Sequence, residues 1–189
     1  AAGCLGKAIA FEDRTGEIPA ARLRTLERHP VRAVSWFVGS DFYYGAKKHA
    51  LDRAAAQELA REPFDLFHGW SGECVRSLRE CRRRGIPSVI EIPTWHRHKG
   101  KVKPARLTKP ERQRAEARGI ARVKNRLLVS RQQILEEYDL ADVLLVLSEK
   151  AEETFRVAGV PPEKLFRQQR GGDGARFAPG GGAAEGFPP

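Results

Sequence analysis

One pattern occurs twice in this chain and restricts its fold more than any other feature. Residues 64–92 read as strand, serine-containing turn, helix, glycine, apolar residue, proline and strand, and residues 143–165 repeat that order. In the second copy, the apolar run from Val143 to Leu147 is bounded by polar positions, which is typical of a strand buried on both faces. Two such units predict an α/β fold, a parallel sheet flanked by helices and joined by right-handed crossovers.

Capping residues place the ends of the helices in both units. Ser148 is expected to cap a helix that runs to Val157, and Gly159 to adopt the left-handed conformation that follows a helix end. In the first unit, Glu73 to Arg84 is predicted to be helical and Gly85 to end that helix. The strands of this unit are predicted at Phe64 to His68 and at Ser88 to Pro93, with residues 69–72 as the turn between strand and helix.

The remaining segments carry weaker patterns. A helix full of alanine is predicted from Ala46 to Arg61, with an inward stripe formed by Leu51, Ala55 and Leu59. Further predictions are a short helix from Ile18 to Arg28, a strand from Val31 to Val38, a turn at Gly39-Ser40-Asp41, a loop from Thr94 to Lys109, a helical stretch from Glu111 to Leu140 with a break near Gly119, and a linker or tail after Phe177.

Composition excludes several classes of protein. The 189 residues are 41% hydrophobic and 31% charged, which is globular composition and enough for one domain with a real core. No apolar run approaches the ~20 residues of a membrane helix, and no signal peptide or metal-ligand spacing is present. The three cysteines, Cys4, Cys74 and Cys81, do not form a disulfide framework, which indicates a reducing compartment. The chain lacks methionine, and we expect both of its ends to be truncated.

The net charge of +10 is concentrated in one segment. Residues 97–131 contain thirteen Lys or Arg against two acids, Glu111 and Glu116. Three interpretations are open: a solvated helix face and loop, contact with an anionic membrane surface, or contact with nucleic acid phosphates. Nucleic acid ranks last because the segment has no interleaved aromatic residues for base stacking and no known reading motif.

Ligands of open parallel sheets bind beyond the carboxyl ends of the strands, and three such ends are expected to meet at one edge of this sheet. They are residues 68–72, residues 91–96, and Ser148-Glu149. Histidine side chains in general can exchange protons near neutral pH, which makes His68 a candidate general base or hydroxyl ligand, although packing at a strand end is equally favoured. A serine hydrolase is disfavoured because the G-x-S-x-G elbow needs glycine where this chain has Glu73.

The other candidates each have a structural alternative. Gly69 and Gly72 allow backbone amides at a helix N-terminus to approach an anion or hydroxyl, or serve only as a tight turn. Glu91 is suited to binding sugar hydroxyls or to pairing with an arginine. Trp70 and Trp95 are suited to stacking on a sugar or a base, or to filling the core. Ser71 and Ser148 are first of all helix caps, and Glu149 is a first-turn acid that suits the helix dipole.

Two stretches resemble the N-terminal domain of family 4 glycosyltransferases of the GT-B fold. They are YDLADVLLVLSEKAEETFRVAGVPPEKL followed by GGDGARFAP, and FHGWSGECVRSLRECRRRG, which is similar to a bacterial branch with an H-G-W-S-G strand end. The sequence Glu91-Ile92-Pro93-Thr94 also resembles a strand end of some relatives. The family's usual Gly-Val-Asp stands here as Gly171-Gly172-Asp173-Gly174, without the apolar residue. The resemblance covers residues 64–96 and 137–179.

The resemblance implies a Rossmann-like acceptor-side domain over residues 1–170, one half of a GT-B fold, whose first strand and glycine-rich loop would precede Ala1. Residues 171–189 would lead to a C-terminal domain that holds the nucleotide. The implied activity is retaining transfer of a sugar from a nucleotide-sugar, a co-substrate rather than a cofactor, to a glycan, lipid-linked or small-molecule acceptor. Neither a cofactor nor a metal would be needed. The implied location is the cytoplasm, with peripheral contact at the inner face of the plasma membrane. Catalysis would fall to His68, and acceptor binding to Gly69, Trp70, Ser71, Gly72, Glu91, Thr94, Ser148, Glu149 and Asp173.

Overall fold

The computed structural model describes residues 4–34, 36, 38–98 and 109–168 of the chain. It confirms the predicted class, an α/β fold with parallel sheets flanked by helices. The strands are β1 (Ala8–Ala10), β2 (Leu23–Thr25), β3 (Phe67–Trp70), β4 (Ser88–Ile92), β5 (Val143–Val146) and β6 (Leu165–Arg167). The helices are α1 (Val31–Val34), α2 (Ser40–Arg61), α3 (Val75–Arg84), α4 (Lys109–Glu116), α5 (Gly119–Asn125), α6 (Arg131–Leu140) and α7 (Glu149–Val157).

The main sheet contains four parallel strands in the order β3-β4-β5-β6. Phe67 lies opposite Ser88, Val89 opposite Val143, and Leu144 opposite Leu165. Because every connection runs between neighbouring parallel strands, the carboxyl ends of β3, β4 and β5 lie along one edge of the sheet, as the sequence predicts.

Helices α3, α6 and α7 cover one face of this sheet and form the main core with it. That face carries the buried side chains of Ile90, Ile92, Leu144 and Val146, and the helices contribute Leu78, Ile134, Tyr138 and Phe155. Side chains alternate across a strand, so the residues between these positions lie on the other face, where His68 and Trp70 are exposed and Glu91 is half-buried. The main sheet is therefore packed on one face and more accessible on the other.

A second, two-stranded parallel sheet pairs β1 with β2 and packs against the long helix α2. Its core joins Phe11, Leu26 and Val31 to Ala46 and Ala54 of α2. Helix α2 also packs along α3, and it connects the two sheets through this contact. Strand β1 was not predicted, because three half-buried residues carry no clear alternation.

Two predictions for the first forty residues are wrong. The segment from Val31 to Val38 begins with helix α1, in which Ala33 N–H donates to Pro30 O at 3.0 Å, and Trp36 is almost fully exposed. The segment from Ile18 to Arg28 forms a short 3₁₀ turn (Ala20–Arg22) and then β2, not a helix. Strand pairing explains both differences. The β-branched residues of the segment from Val31 form a strand only beside a neighbouring strand. The segment that begins at Leu23 has such a neighbour in β1.

Other boundaries differ by a few residues. The segment Gly39-Ser40-Asp41 opens α2 instead of forming a separate turn. Strand β3 begins at Phe67, three residues later than predicted, and ends at Trp70, inside the predicted turn. The stretch from Glu111 to Leu140 breaks at Gly119, where φ is +56°, and again before the capping box of Ser130 and Gln133. Gly85 and Gly159 have positive φ values after α3 and α7, as predicted. Among the described residues, no helix is long and apolar enough to cross a membrane.

Candidate functional site

His68 and Glu91 meet on the accessible face of the main sheet, near the carboxyl ends of β3 and β4. Trp70 lies directly opposite Glu91 in the ladder, and His68 lies two residues earlier on the same face. The distance from His68 Nε2 to Glu91 Oε2 is 4.0 Å. The His68 side chain is 54% exposed and that of Glu91 is 18% exposed. At this separation a hydroxyl or a water fits as a bridge between them, and both side chains are accessible to a ligand.

Two exposed tryptophans lie at or just after the carboxyl ends of the same two strands. Trp70, which ends β3, is 41% exposed, and Trp95 in the loop after β4 is exposed as well. Thr94 is also exposed, and its hydroxyl lies 3.5 Å from Trp95 O. An indole ring offers a broad apolar face together with one N–H donor, so these residues can form a platform for a ring-shaped ligand.

The predicted anion site at the N-terminus of α3 is filled by a side chain of the protein itself. Glu137 of α6 accepts hydrogen bonds from Gly72 N–H at 2.6 Å and from Cys74 N–H at 2.7 Å. The hydroxyl of Ser71 lies 3.4 Å from the same carboxylate. The space beside these residues is about 10 Å³, room for one water. A ligand would therefore have to displace Glu137 to reach the amides of Gly72 and Cys74.

Glu137 is fully buried, and the pKa of its carboxyl is shifted from the ordinary value. Burial raises the pKa of its carboxyl to about 7, while the hydrogen bonds from Gly72 and Cys74 oppose part of that rise. The sequence analysis did not single out this residue. A signal was present, because Glu137 lies three residues after Ile134 and just before Tyr138, on the face of the predicted helix that points inward.

Asp52 of α2 completes the capping of α3. Its carboxylate accepts from Arg76 N–H and Ser77 N–H, both at 2.9 Å, and from the Ser77 hydroxyl at 2.8 Å. Two acids from two different helices thus satisfy N–H groups at or near the first turn of α3 that have no partner within the helix. This arrangement fixes α3, and with it the end of β3, against α2 and α6.

Gly69 is explained by packing in the interior. A Cβ atom at this position would lie 2.4 Å from Cys74 Sγ and 2.9 Å from the Phe67 ring. The Cys74 thiol donates to Trp70 O at 3.1 Å, and burial raises the pKa of this thiol well above its usual range. Gly69 therefore makes room for a protonated, buried cysteine behind the candidate site.

Two weaker candidates, Ser148 and Glu149, lie after β5, the strand beyond β4 in the sheet. Ser148 follows β5, and its hydroxyl accepts from Ala151 N–H at 3.1 Å as the cap of α7. Glu149 is exposed and its carboxylate lies 3.8 Å from Arg167 of β6. Asp173 lies outside the described residues.

A buried histidine after β4 was also missed. His96 packs edge-on against Phe155 at 4.8 Å between ring centroids and lies 5.1 Å from Tyr138. Its Nδ1 accepts from His98 N–H at 3.0 Å. Burial first, and then the nearby His98 and Arg131, lower the pKa of His96 to about 4. No signal in the sequence distinguishes this histidine from an exposed loop residue.

Within the described ranges, no group of three or more His, Cys, Asp or Glu side chains is placed to hold a metal ion. Comparison with known proteins finds no matching family model, no matching curated protein and no matching solved structure. The functional argument therefore depends on the residues and the geometry described above.

Proposed function

We propose that this chain is the acceptor-binding domain of a glycosyltransferase that moves a sugar from a nucleotide-sugar to a hydroxyl group of a glycan, lipid or small molecule. The observation that carries the proposal is the pair of His68 and Glu91, 4.0 Å apart beside exposed Trp70 at the carboxyl edge of a parallel sheet. This edge is where open α/β sheets bind their ligands.

In this proposal Trp70, Glu91 and His68 each have a separate role. Trp70 stacks on the acceptor ring, and Glu91 accepts hydrogen bonds from its hydroxyls. His68 is the catalytic residue: its imidazole accepts the proton of the reacting hydroxyl, a role worth about 10²–10⁴-fold in rate for a well-placed base. The rest of the rate enhancement comes from positioning the acceptor hydroxyl against the sugar donor.

The donor belongs to another part of the enzyme. In the family that the sequence resembles, a second domain holds the nucleotide-sugar, and residues 171–189 would lead to it. The 189 residues alone are therefore expected to bind an acceptor without transferring sugar. Sugar transfer by the isolated chain would contradict this division. The corresponding location is the cytoplasm, at the inner face of the plasma membrane if the acceptor is lipid-linked.

The test is binding of simple sugars to the 189-residue chain, followed by nuclear magnetic resonance. The probes are the methyl glycosides of glucose, galactose, mannose and N-acetylglucosamine. At least one should bind with a dissociation constant of about millimolar and shift the signals of His68, Trp70 and Glu91. Trp70→Ala should weaken binding about tenfold, whereas Trp36→Ala, which removes a remote exposed tryptophan, should not. Binding of no glycoside, or shifts confined to other surfaces, would contradict the proposal.

The catalytic role needs the longer enzyme. There, His68→Ala should lower the transfer rate by about 10²-fold or more while the melting temperature changes little, because the side chain is half-exposed. An unchanged rate would reduce His68 to a packing residue.

A second function, docking on an anionic membrane, is favoured by one observation on α5. Ile120 and Val123 lie three residues apart on this helix and are both exposed. Arg118, Arg122, Lys124 and Arg126 surround them. Exposed aliphatic side chains within a basic segment fit insertion into a lipid surface better than contact with nucleic acid phosphates.

Retention on liposomes distinguishes the two candidate partners of the basic segment, an anionic membrane and nucleic acid. Vesicles with an anionic lipid should retain the chain at low salt, and Ile120→Ser with Val123→Ser should lower this retention without changing retention on heparin. Neutral vesicles are the control for charge. Strong binding to RNA without binding to anionic vesicles would reverse the preference.

A further inference from the structure

Trp95 differs from an ordinary exposed aromatic residue because the backbone on both sides of it is held in place. The residue is 60% exposed and lies three positions after Ile92, where β4 ends. A single apolar side chain in water is common at a protein surface and needs no explanation by itself. An exposed indole on a fixed segment is different, because its backbone is already in position before a ligand arrives.

The residue after Trp95 is anchored to two helices of the core. The ring of His96 packs edge-on against Phe155 of α7, with centroids 4.8 Å apart, and lies 5.1 Å from the ring of Tyr138 of α6. The His96 N–H donates to the Thr154 hydroxyl of α7 at 3.0 Å. His96 therefore fixes the backbone immediately after Trp95, and the ladder of β4 fixes it shortly before.

The same anchor separates the directions of two neighbouring side chains. His96 is buried against α6 and α7, which cover the packed face of the main sheet, whereas Trp95 is exposed. One side chain thus points into the core and the other into solvent. Ordering a loop during binding costs affinity, and a stacking surface on a segment that is already held avoids part of that cost.

Trp95 also lies near the pair of His68 and Glu91 along the chain. Trp70 is the ladder partner of Glu91, so these two residues are at the same level of neighbouring strands. The four residues from Glu91 to Trp95 span at most about 14 Å. Two exposed indoles are therefore found at adjacent strand ends, at a separation that a short chain of sugar rings can bridge.

We propose that Trp95 is a second stacking site and that the acceptor is an oligosaccharide of at least two sugar rings. The ring with the reacting hydroxyl lies on Trp70, beside His68 and Glu91, and the following ring lies on Trp95. Sugar rings present apolar C–H faces that pack on the broad face of an indole. This inference rests on the proposed function, because it extends the same acceptor site. It narrows the acceptor to a carbohydrate chain, free or attached to a carrier.

The test compares monosaccharides with disaccharides as ligands of the 189-residue chain. The probes are the methyl glycosides of glucose, galactose, mannose and N-acetylglucosamine, and the disaccharides maltose, cellobiose, lactose, mannobiose and chitobiose, which carry these sugars at their non-reducing ends. At least one disaccharide should bind about tenfold more tightly than the methyl glycoside of its own non-reducing sugar. That disaccharide should shift the nuclear magnetic resonance signal of the Trp95 indole N–H, and the monosaccharide should not.

Three tryptophan variants assign the preference to one residue. Trp95→Ala should reduce the preference for the disaccharide from about tenfold to about onefold, and it should fold normally because the side chain is exposed. Trp70→Ala should weaken the binding of both probes and keep the preference between them. Trp36→Ala is the matched control, since it removes another exposed tryptophan, and it should change neither affinity.

The outcomes distinguish this inference from the proposed function. If monosaccharides bind and no disaccharide binds more tightly, the acceptor site ends at Trp70 and the inference is wrong, while the proposed function stands. If no sugar binds, the proposed function fails and the inference fails with it. A Trp95 shift caused by adenosine and by no disaccharide would make this indole a platform for bases and would overturn the inference. An unchanged preference in Trp95→Ala would have the same consequence.

Discussion

The backbone N–H of Gly72 donates to Oε2 of Glu137 across 2.6 Å, so a side chain of α6 occupies the N-terminus of α3. Glu137 is fully buried, and its carboxylate also accepts from Cys74 N–H. In the sequence, glycines at this turn suggested a place for a ligand. The structure shows that they bring backbone amides to an internal acid, which links the end of β3 to the helix before β5.

Glu137 makes stability depend on pH. Its pKa is about 7 in the folded chain against 4.5 for an ordinary glutamate, so the folded state keeps a proton that the unfolded state loses. The contribution to stability is complete below pH 4.5 and is lost as the pH rises to 7. At ~1.4 kcal/mol per pKa unit the loss is on the order of 3 kcal/mol. Urea unfolding at several pH values should show that Glu137→Gln lacks this loss, so that its stability relative to the native chain increases between pH 4.5 and 7.

The neighbouring acid provides the control for Glu137. Glu136 is on the same helix, is more exposed, and pairs with Arg79 at 2.8 Å. Glu136→Gln should change the free energy of unfolding by less than about 1 kcal/mol and keep the native pH slope. If Glu137→Gln has the same slope as the native chain, the carboxyl does not titrate near pH 7.

His96 has the opposite effect on the pH dependence of stability. Its pKa is about 4 in the folded chain against 6.5 for an ordinary histidine, so the unfolded state binds the proton first. The stability that neutral His96 provides is complete above pH 6.5 and is lost as the pH falls to 4, again on the order of 3 kcal/mol. A titration of the His96 ring signals should give a midpoint near 4, well below the 6.5 of an ordinary histidine. A midpoint near 6.5 would contradict burial of this ring.

The two slopes oppose each other between pH 4.5 and 6.5. The native chain should therefore show a weak net dependence in that range, and each single variant should reveal the slope of the other group. Glu137→Gln should become more stable as the pH rises through this range, and His96→Phe less stable. Parallel curves for the two variants would show that at least one assignment is wrong.

The sequence predicted the main sheet well because its signals are local. Ser148 as a cap, Gly85 and Gly159 after helices, and the apolar run that begins at Val143 each depend on a few adjacent residues. The same information placed His68 and Glu91 on neighbouring strand ends. What it could not supply is contact between distant residues: the burial of Glu137 against Gly72 spans 65 positions in the sequence.

The predictions for the first forty residues failed for the same reason, because the structure of this segment depends on contacts with residues distant in the sequence. Strand β1 has three residues and a weak pattern, and its stability comes from pairing with β2 and packing on α2. The segment from Val31 has strand-forming residues but no strand beside it among those described, and its first turn is helical. Intrinsic helix or strand propensity did not determine the structure of either segment. Tertiary packing outweighs differences in propensity of a few tenths of a kcal/mol.

Asp52 should be more important for stability than its place in the middle of α2 suggests. Asp52→Ala removes the acceptor for two backbone N–H groups of α3 and for the Ser77 hydroxyl. Leaving such buried donors without partners should cost about 2–4 kcal/mol in the free energy of unfolding. Asp41→Ala, at the exposed start of the same helix, should cost less than about 1 kcal/mol. Equal effects in urea unfolding would mean that Asp52 does not cap α3.

Gly45 offers a test in which helix propensity and packing predict opposite signs. Replacing a glycine inside a helix by alanine ordinarily stabilises a protein by about 0.8–1 kcal/mol. At position 45 of α2, however, a Cβ atom would lie 2.1 Å from Leu127 O and 2.9 Å from Leu128 Cα, and backbone atoms cannot move aside as a flexible side chain can. Gly45→Ala should therefore destabilise the chain by about 1–3 kcal/mol. Gly39→Ala, where the new methyl group meets no atom within 4 Å, should change stability by less than about 1 kcal/mol. Thermal and urea unfolding of both variants would give the sign, and a more stable Gly45→Ala chain would show that α2 does not pack directly on the backbone of residues 127–128.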